Sequence, residues 1–128
     1  MTEQKCFKWQ LQNSNLMYLG ASVLVLLDVS YQSRFWTQLE LWLSLQVGTS
    51  EGLQPASEEM QRAAVRPIHS ATEEIASALV KMWQNKSHEE ALETLRRPDV
   101  RCTNQSDKED LLPKIALLND EVRNVMQM

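Results

Sequence analysis

Glu40 is the only acid in the stretch SYQSRFWTQLELW, residues 30–42, where it sits among two tryptophans, a phenylalanine and a tyrosine. If these residues form a helix, the three-and-four spacing puts Trp36, Glu40 and Leu43 on one face, and the carboxylate emerges among apolar neighbours. Such surroundings raise a carboxyl pKa and suit the group to bind hydroxyls or to stabilise a developing cation. Just upstream, Asp28, Ser30, Tyr31 and Ser33 follow an apolar run. If that run is a strand of an open α/β sheet, they occupy its carboxyl end, where such sheets bind ligands. The competing reading of Glu40 is a helix glutamate that reaches solvent or pairs with Arg34.

The remaining reactive residue types form no constellation. His69 and His88 lie far apart, and no Ser or Cys nucleophile is tied to either by a motif. His88 is expected to be exposed. Cys6 and Cys102 form no CxxC, no metal-ligand spacing is present, and no metal is expected. Cys102 reads as a small core residue.

The elements that must position these residues follow from punctuation and periodicity. ASVLVLLD, residues 21–28, is a continuous apolar run of strand length, the pattern of a strand covered on both faces. Ser30 or Ser33 can then cap a helix running to about Gln46, with Gly48 as a stop signal. Residues 48–60 carry Gly, Pro, Ser, Thr and Glu and read as a solvated surface loop. AAVRPIH, residues 63–69, supplies a second strand ended by Pro67.

Ser70 or Thr72 opens the next helix, with Ile75, Ala78, Leu79, Met82 and Trp83 as its apolar face. Ser87 and Glu90 have capping-box spacing and start a further helix with Ala91, Leu92 and Leu95 inward, stopped before Pro98. DVRCTN, residues 99–104, is consistent with a third strand through Val100 and Cys102. Ser106 to Glu109 repeats the capping-box pattern, but Pro113 predicts either an isolated turn or a helix beginning near Leu112. Ile115, Leu118, Val122 and Val125 form the seam of that last helix. The opening segment CFKWQLQNSNLMYL is a strand by the alternation of Phe7, Trp9 and Leu11, or a helix.

Strands alternating with helices predict an α/β fold with a small parallel sheet of three to four strands flanked by helices. A chain of 128 residues, 43% hydrophobic, is sized for one domain: a lead segment over residues 1–20 and the α/β unit over residues 21–128. The formal net charge of −4, with both signs mixed along the chain, gives no footprint for nucleic acid or an anionic membrane. The run from Leu16 to Leu27 is too short for a membrane span of about 20 residues. Without a secretory signal at the start, a cytoplasmic, reducing setting is expected, with both cysteines as free thiols.

The segment VLLDVSYQSRFWTQLELW resembles the part of Toll/interleukin-1 receptor (TIR) domains where a buried strand ends in a serine, then an aromatic, then a Ser-x-Trp-Cys-x-x-Glu helix opening. The spacing from Trp36 to Glu40 agrees. Phe35 adds a residue between Ser33 and Trp36, Thr37 stands at the usual cysteine, and the loop after Asp28 differs. AAVRPIH looks like the family's next strand, which commonly ends in a Pro-Ile or Pro-Val pair. The resemblance covers residues 21–128, the later half to two-thirds of such a domain, and implies an incomplete flavodoxin-like, TIR-like architecture.

For function the resemblance implies a TIR-like interaction and signalling module, non-catalytic, working with a protein partner or as a homo-oligomer, with no cofactor. The alternative it implies is an NAD glycohydrolase that cleaves the nicotinamide–ribose bond, with Glu40 as the catalytic carboxylate and Ser30, Tyr31, Ser33 and Trp36 lining the NAD site. A carboxylate beside the ribose hydroxyls supports an oxocarbenium-like transition state. Because the family's first strand and following loop have no counterpart here, a truncated domain without independent function is the third expectation.

Overall fold

The run VLVLL pairs as expected with the run AAVRP, and the two lie parallel, from Val23 opposite Ala63 to Leu27 opposite Pro67. A computed structural model of the chain describes residues 2–5, 18–28 and 34–127. In chain order its elements are strand β1 (Val23–Leu27), helix α1 (Phe35–Ser44), strands β2 (Gln46–Thr49), β3 (Gly52–Pro55) and β4 (Ala63–Pro67), and helices α2 (Glu73–Gln84), α3 (His88–Arg96) and α4 (Gln105–Met126). A 3-10 turn, Glu58–Met60, precedes β4. No helix among the described residues is long and apolar enough to cross a membrane.

The fold is α/β, but among the described residues its parallel sheet has two strands, not three or four. The expected third strand reduces to one parallel bridge, Arg34 to Arg101, carried by Phe35 N donating to Arg101 O at 2.8 Å. Val100 turns inward and is buried, but its amide bonds back to Arg97 O, so this segment is a turn that touches α1 at one point. Nor is β1 covered on both faces. Val25 and Leu27 are buried, whereas Leu24 is 64% and Leu26 56% exposed on the opposite side. A continuous apolar run hides which of its alternate residues face the core.

The first half of the predicted surface loop over residues 48–60 belongs to a second sheet, while residues 56–60 form a connection with the 3-10 turn and residues 57–60 are exposed. Helix α1 ends two residues earlier than expected, at Ser44, where Leu45 N bonds Leu41 O and Trp42 O. Gln46 then opens an antiparallel hairpin with Gln46 opposite Pro55 and Thr49 opposite Gly52. Its two glycines serve the contact with α4. Gly52 has φ +107° and a Cβ there would strike Asn119 Oδ1, the atom that accepts from Leu53 N at 2.8 Å. At Gly48 a Cβ would come within 3.2 Å of Val122. The Thr49 hydroxyl donates to Gly52 O and accepts from Glu51 N, closing the turn.

Helix α3 matches the sequence reading fully: both halves of the Ser87–Glu90 capping box form, and Ala91, Leu92 and Leu95 are buried. Helix α2 is capped by Thr72, which accepts from Ile75 N, but its inward face is rotated. Ala76, Leu79 and Trp83 are buried, while Ala78 and Met82 face outward. His88, expected in solvent, is half-buried, with Nε2 2.6 Å from Ile115 O and its ring beside Trp42.

Helix α4 overturns the expectation at Pro113. It runs unbroken from an Asn104 cap through Pro113 to Met126. The Ser106–Glu109 box does not form; Asn104 instead accepts from Ser106 N. Lys108 and Leu111 before the proline and Ile115 and Leu118 after it are all buried at one face, so tertiary packing outweighs the missing amide. Val125 at the far end of the expected seam is exposed. The reading of the opening segment falls largely on residues 6–17, outside the described residues.

Because Pro113 lies exposed in the helix interior, Pro113→Ala is expected to restore a hydrogen bond to Glu109 O and stabilise the fold by about 1–3 kcal/mol. Urea unfolding midpoints measure this; an unchanged or lowered midpoint would contradict it.

Candidate functional site

Helix α1 is submerged along most of its circumference. Phe35, Leu39, Leu41, Trp42 and Leu43 are fully buried. Glu40 is half-buried on the side facing β1, in a hollow of about 150 Å³ shared with Tyr18, Thr37 and the β1 residues Val23 to Leu26. The Tyr18 hydroxyl donates to the Glu40 carboxylate. Burial pushes the Glu40 carboxyl above the usual carboxylate range, and the Tyr18 bond opposes that shift. Tyr18 is itself raised, by burial first and then by the adjoining negative charge.

Arg62, the residue before β4, holds this arrangement together. Its Nη2 donates to Tyr18 O at 3.0 Å, Leu43 O at 3.2 Å and Gln46 O at 2.8 Å. One guanidinium therefore ties the approach to β1, the last turn of α1 and the start of the hairpin, and its charge meets the negative end of the α1 dipole. Burial lowers its pKa from the usual arginine value. Neither Tyr18 nor Arg62 carries a motif. An arginine next to a short apolar strand reads as surface unless the carbonyls it meets are already in place.

Trp36 opens to a different space. A cavity of about 680 Å³ lies at the start of α1 between Arg34, Trp36, Thr37 and the turn Arg101, Cys102 and Thr103. Its far wall is fixed by Lys108, buried beneath it, which donates to Arg97 O at 2.8 Å and Val100 O at 2.6 Å and lies over the Phe35 ring. Burial lowers the Lys108 pKa. Cys102 is half-buried at the rim of the core.

Of the site residues expected from the sequence, the structure therefore places Trp36 and Glu40 on one helix but in separate hollows, with Thr37 bordering both. Ser30, Tyr31 and Ser33 lie outside the described residues. Arg34 caps α1 through its backbone, without a side-chain bond. Among the described residues no three His, Cys, Asp or Glu side chains gather as a metal site. Chemically, the Tyr18–Glu40 pair can hold a proton or accept a hydroxyl from a small group. No family model matches the chain, and neither a curated protein nor a solved structure matches it.

The raised proton affinity of Glu40 has a consequence for stability. A folded-state pKa above the unfolded one favours folding fully below the unfolded value, about 4.3, and that contribution is lost as pH rises through the folded value. Glu40→Gln, which keeps an acceptor for Tyr18, is expected to remove this loss. The variant should melt higher than the wild-type chain at pH 7 and converge with it near pH 4. Parallel melting curves across that range would remove the proposed desolvation.

Proposed function

We propose that the chain is a protein-interaction module, TIR-like in type and non-catalytic, that associates with copies of itself. The outward face of β1 carries this reading. Parallel sheets are ordinarily covered on both faces, yet Leu24 and Leu26 stand exposed on the side of β1 turned away from the core. A second copy laid on that face would remove both leucines from water; burying a fully exposed leucine is worth about 1.5–3 kcal/mol, and these two, a little over half exposed, would each contribute part of that.

The parallel pairing of β1 with β4, joined through α1, is consistent with the TIR resemblance at residues 23–67. The antiparallel hairpin between α1 and β4 is an addition that the resemblance did not lead us to expect. Sedimentation velocity over a range of concentrations tests the reading. Wild-type chain should associate, and the double variant Leu24→Asp, Leu26→Asp should stay monomeric with an unchanged circular dichroism spectrum. A wild-type chain that remains monomeric throughout would remove homotypic association.

One observation favours a second reading, NAD glycohydrolysis: Glu40 is a half-buried carboxylate with raised proton affinity, bonded to a tyrosine beside a strand. Against it stands the size of the hollow, about 150 Å³, where sites for small ligands commonly occupy about 300–1,000 Å³. Incubation with NAD should release no nicotinamide above background under the leading reading. Release by the wild-type chain that is lost in Glu40→Ala would replace it with the enzymatic one.

A further inference from the structure

Among the described residues β4 pairs with β1 alone, so its other edge has no partner strand. The ladder is bounded by Val23 N donating to Arg62 O and Ile68 N donating to Leu27 O, each at 2.8 Å. Parallel pairing alternates, so even-numbered residues from Arg62 to Ile68 turn their backbone groups toward β1, and Ala63 and Val65 turn theirs away. The amide and carbonyl of Ala63 and the amide of Val65 are thereby directed along the free edge. The Val65 carbonyl points the same way and accepts from its neighbour, Arg66 Nη1, at 3.0 Å.

That edge borders a groove of about 630 Å³ whose opposite wall is α2. The helix contributes Glu73, Ala76, Ser77, Val80, Lys81 and Gln84, a stripe at three-and-four spacing next to the one it buries in the core. Alanines at 63, 64 and 76 and Ser77 keep the groove open, and Val65, Ala76 and Val80 make its apolar part. A strand edge facing a helix across an open channel is the arrangement in which an extended peptide joins a sheet: main-chain bonds supply affinity and alternate side chains supply specificity.

We propose that the groove between β4 and α2 takes an extended peptide from a protein partner as a third strand, with apolar side chains at alternate positions toward Val65 and Val80 and one carboxylate opposite Arg66. Size decides between a peptide and a second folded copy. The groove offers one five-residue strand and one helix face, well short of the roughly 20–30 residues a side of a stable protein–protein interface. Charge decides the chemistry. An incoming amide replaces Arg66 on the Val65 carbonyl, and the released guanidinium, on the exposed face of β4, takes up the acid. Lys81 adds a second cation, while Glu58 and Glu73 also border the groove, so a single acid among uncharged residues fits better than an acidic run.

The groove adjoins the leucine face of β1, since Ala64 and Arg66 stand beside Leu24 and Leu26 in the β1–β4 register, but its test reads a different signal, main-chain pairing at the β4 edge. The full chain, labelled with 15N, is titrated with an end-blocked heptapeptide of alternating valine and threonine with a central glutamate. The Ala63 and Val65 amides should shift saturably at or below about 1 mM peptide and become protected from exchange. N-methylation of the peptide amides that face β4 should weaken binding at least about tenfold, because only the main-chain bonds are lost. Ser77→Trp fills the groove from an exposed helix position and should abolish the shifts with the melting curve unchanged. No saturable change at Ala63 and Val65, equal binding of the methylated peptide, or protection of these amides that grows with protein concentration alone would each overturn the proposal.

Discussion

A helix with apolar residues around most of its circumference must bury its polar groups along with them, and that constraint on α1 organises the rest of the chain. Phe35, Leu39, Leu41, Trp42 and Leu43 leave the helix no fully solvated side. Several polar groups near them are accordingly paired, although Arg62 Nε and Trp83 Nε1 are buried without a partner among the described residues. Ser44 donates its hydroxyl to Leu41 O at 2.7 Å, and Trp42 Nε1 donates to Lys86 O at 3.2 Å. Leu43 O at the last turn receives Arg62, and Glu40 receives Tyr18. An unpaired group in such a place would cost about 1–3 kcal/mol, comparable with a sizeable part of a small domain's net stability. The partners are recruited from β4's approach, the end of α2 and the approach to β1, so satisfying one helix fixes four parts of the chain relative to one another.

The same immersion explains why the sheet stays small. Helix α1 lies against one face of β1 and beside its outer edge, the hairpin caps the end of α1, and α4 lies along the hairpin. Extended chain that would have widened the parallel sheet is used in the hairpin instead, where Gly48 and Gly52 let it lie close against α4. Among the described residues the parallel pair is left with the exposed leucines of β1 on one face and, on β4, an edge without a partner strand toward which Ala63 and Val65 turn their backbone groups. These are the two features a two-stranded sheet cannot resolve by itself, since isolated strand pairs are marginal in water.

Local chemistry was legible in the sequence where a few adjacent residues decide it. The Ser87–Glu90 box, a cap at Ser70 or Thr72 and the strand end at Pro67 were readable because each depends on hydrogen bonding or ring geometry within a few positions, and both parallel strands were readable from their short apolar runs. What failed depends on distant partners. Gly48 and Gly52 look like loop residues until Asn119 and Val122 are set against them. Pro113 looks like a helix break until the buried face from Lys108 to Leu118 holds both sides of it. In the candidate site the direction of Glu40's shift agrees with the apolar-spacing reading, but the burial that causes it comes from β1 and Tyr18 and not from Trp36, which borders another cavity. Tyr18 and Arg62 were not legible, since a tyrosine in an apolar run and an arginine before a strand have no distinguishing local pattern.

The environment of Glu40, and with it the raised proton affinity, follows from its position on α1. Any carboxylate at this place on α1 loses part of its hydration to β1 and Tyr18, whether or not it serves a reaction. A carboxylate that acts on a nucleotide needs room for the ribose beside it, and aromatic or polar walls that converge on the same space. Here Trp36 borders another cavity, and the hollow at Glu40 is walled largely by aliphatic residues of β1 and by Leu41. The pairing with Tyr18 then acts as a link that holds the approach to β1 against α1. Since Arg62 binds the Tyr18 carbonyl while Glu40 binds its hydroxyl, one residue is gripped at both ends, and the position of the leucine-bearing strand that follows is set by that grip.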